Sequence, residues 1–411
     1  MRLLYSAFIQ LLALGFKLAA LFGNPKAKEW IKGRKGLFNT LEETIPSERP
    51  LIWFHSASLG EFEQARPLIE EIAKTKTHFI LLTFFSPSGY ESKKNYTHAD
   101  LVCYMPLDSR ANAKRFLKIT NPELTFFAKY EFWFNHLKEL QKRNLKHYLI
   151  SGIFRPKQQF FRFYGKWFRD HLRAFSHLFL QDQDSVDLLH KFGIEHCSLS
   201  GDGRFDRVWE IAQEKVDLPK VEQFVGNEIC VVFGSSWEKE NLLAFQLAEK
   251  HPKIKIIIAP HEYHAEEMKK LEKRFNLKAS YYSQLNTSES NTQILIIDQM
   301  GLLSKIYRFG DLAVIGGGFG KGIHNILEAA VYGLPVMFGP NHQFFNEAKE
   351  LISEGAAKVF KNEEQFHQLV DQYIHKPETR AEASAICKAY FEKKIGATKL
   401  IFNKLKGDKD L

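Results

Sequence analysis

Short apolar runs, each leaving through a Gly-, Ser- or Pro-containing loop into a helical pattern, recur along this chain. That alternation restricts it to folds built on parallel sheets covered by helices. Residues 51–55 (Leu-Ile-Trp-Phe-His) lead through 56–60 into a helix over 61–74, with Phe62, Ala65, Leu68, Ile69 and Ile72 on one face. Residues 79–83 form a second run, ending at Ser86-Pro-Ser-Gly89, and further strands are expected at 101–104, 124–128, 147–150, 178–180 and 196–199. From about 207 to 228 charged residues run without strand character. The pattern then restarts with 230–234, 254–259, 294–298, 312–315 and 335–338. With 411 residues, one core is too few. The expected fold class is α/β: two Rossmann-like parallel-sheet domains facing a central cleft. The expected divisions are 1–36, an anchoring helix and basic flank; 37–210, a first domain; 211–228, a linker; 229–380, a second domain; and 381–411, a helical segment able to cross back to the first.

The amino-terminal stretch 2–22 is almost wholly apolar, with Ser6, Gln10, Ala13 and Lys17 on one helical stripe. Lys26, Lys28, Lys32, Arg34 and Lys35 follow at once. The length suffices to span a bilayer, but a mid-helix Lys costs roughly 2.5–3.5 kcal/mol at its centre. A shallow or tilted anchor, its basic flank on an anionic cytoplasmic leaflet, fits better, and that flank opposes export of a cleaved leader. The formal charge of +9 has the same explanation, since no nucleic-acid-binding motif accompanies it. Four scattered cysteines, Cys103, Cys197, Cys230 and Cys387, form no CxxC pair and point to free thiols in a reducing compartment.

Residues 311–339 carry the strongest local signal. A buried strand runs into Gly316-Gly317-Gly318-Phe-Gly-Lys321-Gly322, then His324-Asn325-Ile326-Leu327-Glu328, where a helix is expected to begin. A helix start of this kind attracts phosphate through open N–H groups and its dipole. Glu328, three residues from Asn325 and on the same face, could accept two sugar hydroxyls, and Gly316, Gly317 and Gly318 are the candidate phosphate loop. The plainer alternative is that these glycines only let a strand turn into a helix. Lys321 followed by Gly fits no P-loop, and the glycine spacing fits no dinucleotide fingerprint.

Glu61, on the first turn after the first strand, can act as general base on an acceptor hydroxyl or merely complement the helix dipole. Residues 154–168 interleave Arg155, Lys157, Arg162 and Lys166 with Phe160, Phe161, Phe163, Tyr164 and Trp167. They could grip an anionic glycolipid or pack as an ordinary amphipathic segment. Glu131, near Lys129, could bind acceptor or pair with that lysine.

Five motifs occur in order: His55-Ser-Ala-Ser-Leu-Gly-Glu61-Phe-Glu63, Gly201-Asp-Gly-Arg204-Phe-Asp206, Pro260-His261, Met300-Gly301-Leu302 and His324-Asn325-Ile326-Leu327-Glu328. Together they resemble the bacterial 3-deoxy-D-manno-octulosonic acid (Kdo) transferases, over nearly the whole chain. That resemblance implies a GT-B glycosyltransferase that moves Kdo from CMP-Kdo onto a lipid A precursor, lipid IVA, during lipopolysaccharide biosynthesis, at the cytoplasmic face of the inner membrane. By it, Glu61 matches the proton acceptor, and Pro260, His261, Met300, Gly301, Leu302, Asn325, Ile326, Leu327 and Glu328 match the positions that hold CMP. Arg204 matches a basic position and is the candidate for the Kdo carboxylate or phosphate; its alternative is an interdomain salt bridge with Asp206 or another acid. Three departures stand out. His261 replaces the family's Arg, Leu302 replaces a Glu, and the Thr-rich loop reads Thr83-Phe-Phe-Ser86-Pro-Ser88. No Asp-x-Asp motif is visible, and a leaving group with one phosphate has less need of a metal, so neither metal nor separate cofactor is expected. The expected partners are CMP-Kdo, the anionic glycolipid and the inner-membrane leaflet, with no nucleic acid. A second GT-B reading, a UDP-sugar transferase on a lipid-linked acceptor or a sugar-nucleotide epimerase, has the same architecture. A non-catalytic polysaccharide-binding scaffold is the third.

Overall fold

The computed structural model describes residues 1–129, 131–285 and 292–411. They divide into two compact units, one of 1–207 with 395–411 and one of 208–394. Residues 211–228, read above as a linker, carry the end of the Gly203–Gln213 helix and the Pro219–Val225 helix, whose Val221 and Phe224 are buried. The carboxyl-terminal segment is split: the Pro377–Lys394 helix lies in the second unit and the Ala397–Gly407 helix in the first.

The first unit holds β1 (Leu51–Ser56), β2 (Phe79–Phe84), β3 (Leu101–Tyr104), β4 (Leu124–Ala128), β5 (Lys146–Gly152), β6 (His177–Leu180) and β7 (Cys197–Leu199). All pair in parallel in the order β3-β2-β1-β4-β5-β6-β7. The order reverses between β1 and β4, which makes their carboxyl ends the topological switch point. Both faces are covered. Trp53, Leu81, Phe127 and Leu149 look into one core; Ile52, Phe54, Ile80 and Phe126 look into the other, where Ile401, Phe402 and Leu405 of the Ala397–Gly407 helix join them. The Asp206 carboxylate accepts the backbone N–H of Gly396 and of Thr398, both at 2.6 Å, and so caps that returning helix.

The second unit repeats the plan with β8 (Cys230–Ser236), β9 (Lys255–Pro260), β10 (Ala279–Tyr281), β11 (Ile294–Ile296), β12 (Leu312–Ile315), β13 (Val336–Phe338) and β14 (Ala357–Val359). Its parallel order is β10-β11-β9-β8-β12-β13-β14, with the switch point between β8 and β12.

The amino-terminal helix, Arg2–Leu21, is long and apolar enough to cross a membrane. It is nonetheless docked on the first unit. Tyr5 stacks edge-on against Phe134, Ile9 is 1% exposed, and Phe16 lies flat on Trp30 at 4.2 Å. The opposite stripe, Leu4, Phe8, Leu11, Leu14, Leu18 and Leu21, is exposed. Arg34, counted above with the basic flank, turns inward instead. Its guanidinium donates to the carbonyls of Trp30, Phe85 and Met105 and lies 3.9 Å over the Trp30 ring.

His147 on β5 is 2% exposed and its Nδ1 lies 2.8 Å from the Leu145 carbonyl oxygen. Burial pushes its imidazole down to about 4, below the roughly 6.5 of an unfolded chain. The neutral ring is therefore favoured by folding, and its stabilisation is complete above pH 6.5 and lost as pH falls from 6.5 toward 4. Unfolding by urea at pH 5 should show this residue alone removing about 2 kcal/mol relative to pH 7. His147→Gln should flatten that slope; an unchanged slope would contradict the assignment.

Candidate active site

Every loop that carries a predicted site residue leaves the carboxyl end of a strand. In the first unit, Glu61 lies in the first turn of the Leu59–Ala73 helix, directly after β1. Ser58-x-x-Glu61 has the sequence of a capping box, yet the reciprocal cap is not formed. The Ser58 hydroxyl donates to the Glu61 carboxylate instead. That bond aims the carboxylate, and Glu61 stays partly exposed. At Gly60 an added methyl would meet nothing nearer than Ser58 Oγ at 3.9 Å, so packing within the chain does not demand this glycine.

The segment after the adjacent strand β4 supplies Glu131, which is 8% exposed. Its Oε2 accepts from Trp133 Nε1 at 2.7 Å and lies 3.3 Å from His55 Nε2. His55 in turn meets Thr83 Oγ1 at 2.8 Å through Nδ1. Thr83, His55 and Glu131 thus form a buried polar line across the ends of β2, β1 and β4. None of the three was singled out from spacing as part of one group, because three separate strands bring them together.

Arg204 donates through Nε and Nη2 to Asp202 Oδ2 at 2.9 and 2.7 Å, so the acid of the alternative reading is Asp202 of the same unit, while Asp206 caps the returning helix. Its neighbour Gly203 sits against the Gln64 carbonyl, where an added Cβ would come within 2.3 Å. The turn bearing Arg204 is therefore pressed onto the helix that bears Glu61. A larger residue at 203 would push the two apart.

In the second unit, Pro260 ends β9 and His261 follows it; Met300-Gly301-Leu302 follows β11; Asn325–Glu328 follows β12. Met300 is 94% exposed and Gly301 has φ +84°, a backbone that favours glycine. Asn325 Oδ1 accepts the Leu327 N–H at 3.1 Å while its Nδ2 donates to Glu328 Oε1 at 3.0 Å, which ties the carboxylate to its own loop. The helix expected from Asn325 is only one turn, Leu327–Ala330, because Gly333 at φ +79° and Pro335 turn the chain into β13. Its dipole is correspondingly small.

Gly316, Gly317 and Gly318 are buried, and each has a packing reason. A Cβ would lie 2.0 Å from Ser235 O at Gly316 and 2.5 Å from Gly339 N at Gly318, and Gly317 has φ +87°. The Gly316 N–H is spent on the Gly234 carbonyl. The plainer alternative therefore accounts for these three glycines.

The structure adds a feature that spacing could not reveal. Trp237 after β8, His261 after β9 and His324 after β12 converge as a stack, with ring centres 4.7 Å apart for Trp237–His261 and 4.3 Å for His261–His324. Trp237 Nε1 donates to His324 Nε2 at 3.0 Å, which leaves the proton on His324 Nδ1. Burial, then the His261 charge, push the His324 imidazole down to about 4. With His324 neutral at neutral pH, the switch point of the second sheet presents a flat aromatic face.

Comparison with known proteins agrees with this picture. Residues 30–207 match the family model described as 3-deoxy-D-manno-octulosonic-acid transferase. A 3-deoxy-D-manno-octulosonic acid transferase of Aquifex aeolicus (strain VF5) is 29% identical over 347 residues, covering 79% of this chain and 88% of that protein. One from Chlamydia trachomatis serovar D is 26% identical over 381 residues, covering 89% and 86%. Among solved structures, a UDP-GlcNAc 2-epimerase from Neisseria meningitidis aligns at TM-score 0.60 with 15% identity, over 88% of this chain and all of that one. A glycosyltransferase from Rickettsia africae aligns at 0.57 with 13% identity, over 87% and 97%. These two establish the fold alone, a pair of Rossmann-like units of GT-B type.

Proposed function

We propose, from its similarity to the 3-deoxy-D-manno-octulosonic acid transferases, that the chain transfers Kdo from CMP-Kdo to a lipid A precursor of the lipid IVA type. In the step envisaged, Glu61 takes the proton of the acceptor hydroxyl and the freed oxygen bonds to the anomeric carbon of Kdo. The carbon–oxygen bond to the phosphate breaks, and CMP leaves with that electron pair. One displacement inverts the anomeric centre. The observation that carries this reading is the Glu61 carboxylate: it is aimed by Ser58 at the end of β1 rather than consumed by capping its own helix. Arg204, pressed against the same helix, is the candidate for the Kdo carboxylate. Asn325–Glu328, Met300–Leu302 and Pro260-His261 are proposed to hold CMP, with Glu328 on the ribose. No metal is assigned a step.

The test is a product assay with purified protein, CMP-Kdo and lipid IVA, read by mass spectrometry for the mass of added Kdo. Absence of that product, with turnover of a UDP-sugar instead, would move the chain to the second reading. Glu328→Ala should weaken CMP binding about tenfold or more by calorimetry, since a carboxylate bonded to sugar hydroxyls is worth about 1.5–3 kcal/mol. Unchanged affinity would remove the ribose assignment.

The proposed location is the cytoplasmic face of the inner membrane, with the Arg2–Leu21 helix lying in the interface rather than crossing it. Tyr5, Ile9 and Phe16 hold one stripe on the protein, and a helix so tied cannot also be surrounded by lipid. The leucines of the other stripe would enter the acyl boundary, as would Phe163 (99% exposed), whose neighbour Trp167 packs near Tyr5. Leu11→Glu with Leu18→Glu should abolish flotation with anionic vesicles while the urea midpoint stays put; continued flotation would count against the in-plane reading.

A further inference from the structure

Outside the residues discussed so far, one cluster in the second unit has the composition of a metal site. The Glu363–His375 helix carries His367, Asp371 and His375 at successive spacings of four, so the three share one face. Against Asp371 and His375 stands His251, the residue that ends the Glu238–Lys250 helix. One ligand atom each from His251, Asp371 and His375 lies within 4.8 Å of the others. His251 Nε2 is 2.8 Å from Asp371 Oδ1, yet both atoms are buried without an aligned hydrogen bond among the described residues. His367 Nδ1, one turn away, is likewise buried and unpaired among them. His251 and Asp371 are thus a close pair without hydrogen-bond alignment, beside an unpaired imidazole nitrogen, and an ion shared between the pair would satisfy both.

The supports are rigid. The His251 N–H bonds the Leu247 carbonyl at 2.9 Å, and its own carbonyl accepts from Gln293 Nε2 at 2.7 Å. Asp371 Oδ2 is taken by Lys250 Nζ at 2.7 Å, which orients the carboxylate and turns Oδ1 toward His251 Nε2. That is the arrangement of a monodentate carboxylate ligand with an outer hydrogen-bond donor. Two imidazoles and one carboxylate suit a borderline divalent transition ion such as zinc, not the all-oxygen shells of magnesium or calcium.

We propose that His251, Asp371 and His375 bind a zinc-class divalent ion, with His367 or a water completing the shell. The site lies where β9 begins, at the opposite end of the strands from Trp237, His261 and His324, so the ion would staple the Glu238–Lys250 helix to the Glu363–His375 helix and take no part in sugar transfer. It stands or falls independently of the proposed reaction.

The full chain, stripped with chelator, is titrated with Co²⁺ and followed by its visible ligand-field absorption; Zn²⁺ is then added as competitor, and the melting temperature is read with and without Zn²⁺. Expected are one saturating equivalent of Co²⁺, its displacement by Zn²⁺ and a Zn²⁺-dependent rise in melting temperature. His375→Ala, a change at an exposed position, should keep the metal-free melting temperature and weaken binding more than the tenfold to hundredfold that losing an outer-shell partner costs. Asp371→Asn should weaken binding to a similar degree, with some loss of metal-free stability because it also removes the ion pair with Lys250. Absence of a Co²⁺ spectrum and of a Zn²⁺ shift in the unaltered chain would overturn the proposal, as would binding that survives unchanged in His375→Ala.

Discussion

Glu61→Gln should lower Kdo transfer by about 10²–10⁴-fold while leaving CMP affinity within twofold. That is the range for loss of a positioned general base. The amide keeps an acceptor for the Ser58 hydroxyl, so the turn after β1 should hold its shape and only the basicity is lost. If the carboxylate served only the helix dipole, the same change would cost about 0.3–1 kcal/mol of stability and leave turnover alone. Steady-state transfer rates beside urea midpoints separate the two. Full turnover in the variant would remove Glu61 from the chemistry.

Asp108→Ala should cost the first unit about 3–5 kcal/mol, the amount associated with stripping one partner from a buried charged network. Asp108 is 0% exposed. Its carboxylate accepts from Tyr5 Oη at 2.5 Å, Asn135 N at 3.0 Å and His136 N at 2.9 Å, and lies 2.5 Å from His136 Nδ1. The Tyr5 bond is what ties the amino-terminal helix to the loop between β3 and the Arg110–Thr120 helix, which Asp108 in turn fixes to the first turn of the Phe134–Lys142 helix. Limited proteolysis should therefore release residues 1–22 from the variant faster than from the parent, alongside the lower urea midpoint. Tyr5→Phe removes one neutral donor and should cost only about 1 kcal/mol. Equal midpoints for parent and Asp108→Ala would mean the network carries no net stability.

The strands were legible because each is a short run buried on both faces, bounded by Gly, Ser or Pro; residues 124–128 and 312–315 coincide with β4 and β12. Loops that leave such strands were legible too, which is why Glu61, His261 and Asn325–Glu328 all lie at strand ends. What escaped was anything assembled from distant segments. Trp237, His261 and His324 stack across three loops, and no local pattern marks such a meeting. The Thr83–His55–Glu131 line hides for the same reason. Arg34 misled because its neighbours are lysines, while its own partners, the carbonyls of Phe85 and Met105, lie far along the chain. The Asn325 helix was overdrawn, since periodicity does not say where tertiary contacts will stop a turn.

One run of rings has a consequence for how such an enzyme would meet a lipid. Phe16 of the amino-terminal helix lies on Trp30, Trp30 meets Phe85 at 5.8 Å, Phe85 meets Trp133 at 4.6 Å, and Trp133 holds Glu131. A greasy walkway therefore runs from the helix proposed to face the bilayer to the rim where β1 and β4 end. Lifting an acyl chain into water costs about 0.8 kcal/mol per methylene, a toll that a headgroup sliding along this walkway would never meet. On the proposed reading the search for acceptor becomes two-dimensional, and the rate should follow the mole fraction of glycolipid in the bilayer rather than its bulk concentration.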